Sequence, residues 1–350
     1  MSIRSIVKLL PLLGFIACTG GGAPPSPPAQ EAPVDSLTQA IRAVEQRIVS
    51  APENAALYME RALLHQRADS LRLAVLDMER AVALDSTNTT YRTTLGGLYY
   101  TMVQVDKATA QFEKVIALDP SNVDALLRLA EIRLVLRDHM GSIDLVNRAL
   151  RQDPNLAQGY YLKGFVYIEL GDTSTAISSF RTAVEQDPTD HRSFVQLGVL
   201  SARRNDPLAL QYFNTAIGLR PRSVEALYGK AMFLQETGQD SAALETYRRI
   251  MEVDSTNAMA HYNSGFVRME YLRDLAGAKR DFGRAIALNP DYFQAWYNRG
   301  VAMERSGQLD SAAANYQMAL VIQPGFADAA LALERLAAKG VRIKLREKSR

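Results

Sequence analysis

The sequence predicts an all-α protein built from one helix pair repeated along the chain, and three observations predict it. A turn residue recurs at Pro52, Ser86, Pro120, Pro154, Pro188, Pro221, Ser255, Pro290 and Pro324, at spacings of 34, 34, 34, 34, 33, 34, 35 and 34 residues. A small residue holds one fixed place in each interval: Ala62, Gly96, Ala130, Gly164, Gly198, Ala231, Gly265 and Gly300. A second small residue (Ala74, Ala108, Ser142, Ala176, Ala209, Ala243, Ala278, Ala312) stands four positions before a larger one: Met78, Phe112, Val146, Phe180, Phe213, Tyr247, Phe282 and Tyr316. A separation of four puts that last pair on one helix face, where the small residue admits a neighbouring backbone and the large one fills the space beside it.

The elements follow in chain order. Arg4 and Lys8 open the chain, Leu9 to Ala17 is apolar, and small Ala17 precedes Cys18, the only cysteine. This run is shorter than the roughly 20 apolar residues of a membrane span, so residues 1–17 read as an export signal. One thiol allows no disulfide within the chain and no Cys-x-x-Cys pair. Residues 18–34 are Gly- and Pro-rich with little apolar bulk to pack, a flexible linker reaching about 20 to 50 Å. Residues 35–52 fit the second helix of a half repeat, with Ala40 and Val44 in register.

Residues 53–324 hold eight units. Their first helices open on a large side chain at Tyr58, Leu126, Tyr160, Phe194, Leu227 and Trp296, with Arg92 and His261 as departures. The closing proline cannot continue a helix. Asn88, Asn122, Asn155, Asp190, Ser223 and Asn257 then stand where the next helix needs a cap. The inter-helix turns of units five and seven, "RRNDPLA" and "YLRDLAGA", are altered. Residues 325–339, rich in alanine and leucine, read as a capping helix. Residues 340–350 form a basic tail; counted from Lys339 it carries six basic residues against Glu347.

The unit "QAWYNRGVAMERSGQLDSAAANYQMALVIQP", residues 294–324, resembles a near-consensus tetratricopeptide repeat, and the resemblance runs over residues 55–324. It implies a right-handed α-solenoid of helix-turn-helix tetratricopeptide repeats whose first helices line a concave groove for peptides or partner proteins. Carried onto this sequence, that groove takes Tyr161 and Phe165, Val195 and Val199, Tyr228 and Met232, Tyr262 and Phe266, Tyr297 and Val301, an aromatic stripe in its C-terminal half. Interleaved with it, Asp124, Glu131, Glu169, Glu225, Glu236, Glu270 and Glu304 outnumber Arg192, Arg203 and Arg305, which favours a partner with apolar anchors and some positive charge. The segment "FIAC" resembles the lipobox of bacterial lipoproteins, with Phe15 where leucine is usual. That resemblance implies cleavage before Cys18 and acylation of it. Thr19, in place of a retaining aspartate, points to the outer membrane, facing the periplasm.

Composition excludes other classes. Charged residues make up 22% of the chain and the formal net charge is only +2, against a polyanion binder, so no nucleic-acid partner is expected. His65, His139, His191 and His261 fall at four different places in the repeat frame, and none forms an H-E-x-x-H pair. No G-x-S-x-G elbow or Walker loop occurs, and carboxylates such as Glu304 and Asp310 read as solvated helix faces. Neither a catalytic site, a cofactor nor a metal is expected. The sequence therefore points to a membrane-anchored scaffold of the bacterial cell envelope that recruits protein partners through its groove. The competing reading is a secreted, non-lipidated array that self-associates.

Overall fold

A computed structural model describes residues 34–343, which form eighteen α-helices and, among the described residues, no strand. They divide into two compact units. Residues 34–188 hold α1 (Val34–Ser50), α2 (Ala55–Arg67), α3 (Leu71–Leu84), α4 (Thr89–Thr101), α5 (Val105–Leu118), α6 (Val123–Val135), α7 (His139–Gln152), α8 (Ala157–Glu169) and α9 (Thr173–Gln186). Residues 189–343 hold α10 (His191–Arg203), α11 (Leu208–Leu219), α12 (Val224–Glu236), α13 (Asp240–Val253), α14 (Ala258–Glu270), α15 (Leu275–Leu288), α16 (Phe293–Arg305), α17 (Leu309–Ile322) and α18 (Ala327–Ala338). Within each unit every helix packs against the next in sequence, so each is an α-solenoid of stacked hairpins. The expected signal, Cys18 and residues 344–350 of the tail lie outside the described residues.

A short polar box sets where helices stop and start. The Asp85 carboxylate accepts from the Thr87 amide (3.2 Å) and hydroxyl (3.0 Å) and from the Asn88 amide group (3.3 Å), and Asn88 Oδ1 then accepts from the Tyr91 N–H (3.2 Å). The same arrangement recurs at Asp119, Ser121 and Asn122, and at Asp254, Thr256 and Asn257. One motif thus ends a helix and supplies an orphan N–H of the next with an acceptor. Two expected caps differ. In the fourth repeat Leu156, not Asn155, is the N-cap residue, and no side chain bonds the helix start. Asp190 holds the cap position of α10 but spends its carboxylate on Ser193 Oγ (2.5 Å) and Arg192 Nε (3.2 Å).

In four of the eight repeats the opening residue of the first helix has a second task. Tyr58 and Tyr160 donate their hydroxyls, and Trp296 its indole N–H, to the carbonyl six residues earlier, at Pro52, Pro154 and Pro290 (2.9, 3.0 and 2.9 Å). Arg92 makes the same bond from Nε to the Ser86 carbonyl at 2.7 Å, so its departure from an aromatic keeps the tie between repeats.

Phe180 and Phe213 are fully buried, and a Cβ built on Gly164 would stand 2.6 Å from the Phe180 ring. Where the ring is replaced by Val146 or Met78, the corresponding first-helix position is Ala130 or Ala62. The turn inside each pair places one residue at positive φ: Asp69, Val103, Arg137 and Gly171 in the first unit, Asn205, Gly238, Arg273 and Gly307 in the second. Val103, at φ +60°, is the one β-branched residue among them.

Candidate functional site

The aromatic residues expected to line a groove fall into both units. Tyr161 and Phe165, on α8 of the first unit, are half-buried; their ring centroids lie 4.9 Å apart, edge to face, and both lean on Phe180. Tyr228 and Met232 on α12, Tyr262 and Phe266 on α14, and Tyr297 on α16 belong to the second unit.

These five do not contribute equally. Tyr228, Phe266 and Tyr297 keep part of their surface open, whereas Met232 is only 5% exposed and accepts a contact from the Tyr247 hydroxyl (3.1 Å), so it supports the face from beneath. Tyr262 is likewise buried, at 8%, with its ring 5.7 Å from Phe282 and 4.8 Å from Tyr292. Packing of the next repeat against α14 takes the surface that an isolated hairpin would leave open.

A ladder orders the phenols. The Asn263 amide donates to the Tyr228 hydroxyl at 2.7 Å, and the Asn298 amide donates to the Tyr262 hydroxyl at 2.8 Å. Each asparagine therefore reaches back one repeat and fixes the preceding tyrosine. Burial pushes the Tyr228 phenol up and takes that of Tyr262 to about 12, with the amide bonds opposing the shift. Both stay protonated near neutral pH, and Tyr228, which keeps open surface, presents its O–H as a donor. The face can thus offer aromatic area and hydroxyl hydrogens to an acceptor such as a backbone carbonyl.

The predicted acid surplus is largely compensated. Arg128 lies 3.4 Å from Asp124 and 3.8 Å from Glu131, and Arg305 bonds Glu270 at 2.8 Å. Glu304 is not a solvated carboxylate: its side chain is 14% exposed and accepts from the Tyr316 hydroxyl (2.8 Å), Arg335 (2.7 Å) and Lys339 (3.3 Å). The Arg335 hydrogen bond above all, with Tyr316 and Lys339, holds its carboxyl at about 2 against the opposing effect of burial. The sequence reading missed Arg335 and Lys339, because they belong to α18 and its C-cap rather than to a repeat. It also missed Tyr292. The Tyr-to-Asn spacing of one repeat was the signal available for the ladder. Among the described residues no three His, Cys, Asp or Glu side chains group as metal ligands would.

A model of the family described as "Tetratricopeptide repeat" matches residues 93–157 and 270–325, and a second model with that description matches residues 157–190. The chain is a tetratricopeptide repeat protein. It is 27% identical to Protein FlbA of Caulobacter vibrioides over 207 residues, 58% of this chain and 35% of that one. It is 25% identical to human Tetratricopeptide repeat protein 6 over 274 residues, 76% of this chain and 52% of that one. The chain thus spans about a third and about half of these relatives' own lengths. A solved tetratricopeptide repeat protein from Parabacteroides merdae aligns over 71% of this chain and 98% of its own, with 17% identity and a TM-score of 0.51. That likeness concerns the fold. A tetratricopeptide repeat array serves as a protein interaction scaffold, and the tyrosine face is its candidate contact surface here.

Proposed function

We propose that this protein is a membrane-anchored adaptor of a bacterial cell envelope, held by an acylated Cys18 and recruiting a protein or peptide partner through the tyrosine face of its second unit. The observation that carries the recruiting role is the row of half-open aromatics, Tyr228, Phe266 and Tyr297, set on phenols ordered by Asn263 and Asn298. Aromatic side chains give large contact area at low entropic cost, and their pre-ordering lowers the cost further. The tether rests on the "FIAC" segment alone. An outer-membrane, periplasm-facing address follows from Thr19 in the same way.

Two measurements test the two halves. Mass spectrometry of the mature N-terminus reads the tether, since an acylated Cys18 supports it and cleavage elsewhere removes it. For the face, Phe266→Ala with Tyr297→Ala is the suitable variant, because both rings keep open surface whereas Tyr262 is core. Crosslinked partner capture from envelope membranes should fall sharply with the helical circular dichroism unchanged. Capture at the wild-type level would put the contact surface elsewhere.

A further inference from the structure

Large apolar side chains stand exposed in or beside the inter-helix turns of the first unit: Leu73, Val103, Leu136, Met140 and Leu170. Val103 and Met140 are the extremes, at 80% and 71% of full exposure. These turns join the helices of successive pairs, and the pairs stack in sequence order, so the turns share one edge of the unit. Met102 of one turn lines a surface cleft with Asp69, Ser70 and Leu73 of the turn before it. Val103 adds an independent observation. It holds φ +60°, a conformation that a β-branched side chain disfavours, yet its exposure means that packing within the chain does not compensate.

The N-terminal segment arrives at this same edge. Four residues, 51–54, connect α1 to α2, so the two helices run antiparallel. The start of α1 at Val34 therefore lies at the end of α2 where Arg67 enters the first turn. Residues 19–33, which join Cys18 to the folded body, reach about 20 to 50 Å between coil and extended limits.

We propose that this edge, centred on Val103, Leu136, Met140 and Leu170, is a membrane-contact surface that inserts its apolar side chains into the headgroup boundary of the bilayer to which the chain is tethered. The inference rests on the tether proposed above. A short tether makes the contact effectively intramolecular, so a few apolar side chains suffice where free protein would not partition. Exposed Arg72, Lys107 and Arg137 alternate along the edge with Asp69, Asp106 and Asp172. Apolar insertion rather than attraction to anionic lipid then drives the contact, and it persists in high salt.

The test replaces residues 1–18 by a hexahistidine tag and holds the remaining full chain on vesicles of phosphatidylethanolamine, phosphatidylglycerol and a nickel-chelating lipid. With Cys18 gone, single cysteines introduced by V103C, M140C or L118C carry an environment-sensitive nitrobenzoxadiazole label. Leu118 is the control: it is 48% exposed and ends a second helix, at the opposite edge of the unit. Labels at 103 and 140 should shift to the blue on tethering, and spin-labelled lipid should quench them, while the label at 118 stays unchanged. In a label-free arm, Met140→Ser with Leu170→Ser should lower by about tenfold the affinity of the tagged chain for the nickel-chelating vesicles, where tag and edge act together, with circular dichroism unchanged. No shift at 103 or 140 overturns the proposal, as does an equal shift at 118. A shift that needs only higher protein concentration and no vesicles assigns the edge to a second copy and also overturns it. Because the tag supplies the tether, none of these outcomes depends on acylation of Cys18, which the N-terminal mass reads separately.

Discussion

Replacing Gly164 by alanine should destabilise the fourth repeat, and Phe180→Val should partly restore it. The new Cβ would stand 2.6 Å from the Phe180 ring, well inside contact distance. The ring has nowhere to go: it is fully buried, and Tyr161 and Phe165 hold it edge-on at 5.8 and 5.4 Å. Overpacking of this kind costs about 1–3 kcal/mol, and the better helix propensity of alanine returns about 1 kcal/mol. The net loss is up to about 2 kcal/mol. Phe180→Val alone leaves a cavity and costs about 2–4 kcal/mol, but in the double variant the alanine methyl occupies part of it, so a favourable coupling of about 1–2 kcal/mol is expected. The third repeat already carries this pairing as Ala130 and Val146. Stacked repeats need not unfold as one unit, so amide exchange within α8 and α9 is the assay, alongside urea unfolding. Additivity within about 0.5 kcal/mol, or a Gly164→Ala variant more protected than wild type, would refute this account of the Gly164–Phe180 contact.

Three further outcomes follow from named side chains. The Glu304 carboxyl is held at about 2, below its ordinary 4.5, so its stabilising share is present above that ordinary value and is lost as pH falls toward 2; melting of α18 followed against pH should lose this acid-sensitive component in Glu304→Gln. Val103→Gly should raise stability by about 0.5–1 kcal/mol, since relief of left-handed strain exceeds the flexibility glycine adds, and an unchanged or lower urea midpoint would contradict it. Asn122→Ala should cost about 1 kcal/mol through the lost cap, whereas Asn155→Ala, whose side chain caps nothing, should stay within about 0.5 kcal/mol of wild type by thermal unfolding.

The fold was legible because the interval between turn residues repeats, and because each interval contains the same small and bulky positions. Single turns were less so. Asn155 has the right residue type at the right place, yet the chain enters α8 one residue later, at Leu156. The asparagine amide comes from the next repeat, at a separation of 35 or 36 residues, which a helix-by-helix reading does not bring together. Charges were the least legible. Glu304 finds its partners 31 and 35 residues away, on α18 and at its C-cap, and Arg128 sits outside the groove register although it neutralises two carboxylates within it. Long side chains choose partners by tertiary reach, which periodicity does not encode.

That pairing changes what the second unit asks of a partner. A basic segment approaching Glu270 or Glu304 would have to displace Arg305, or Arg335 and Lys339, from bonds of 2.8, 2.7 and 3.3 Å. Exchanging one ion pair for another gains little, because the new pair recovers what breaking the old one costs. The phenols differ in this respect. The Tyr228 oxygen accepts from Asn263, and a phenol that accepts keeps its own hydrogen to give, while Tyr262 is buried beneath the face. A ligand acceptor meeting such a hydroxyl adds a bond without breaking one in the protein, and the ring has already lost its freedom to the ladder. Under the proposed recruiting role, selection at this face would rest on apolar fit and on carbonyl placement, with the charges serving to hold the repeats and α18 in register.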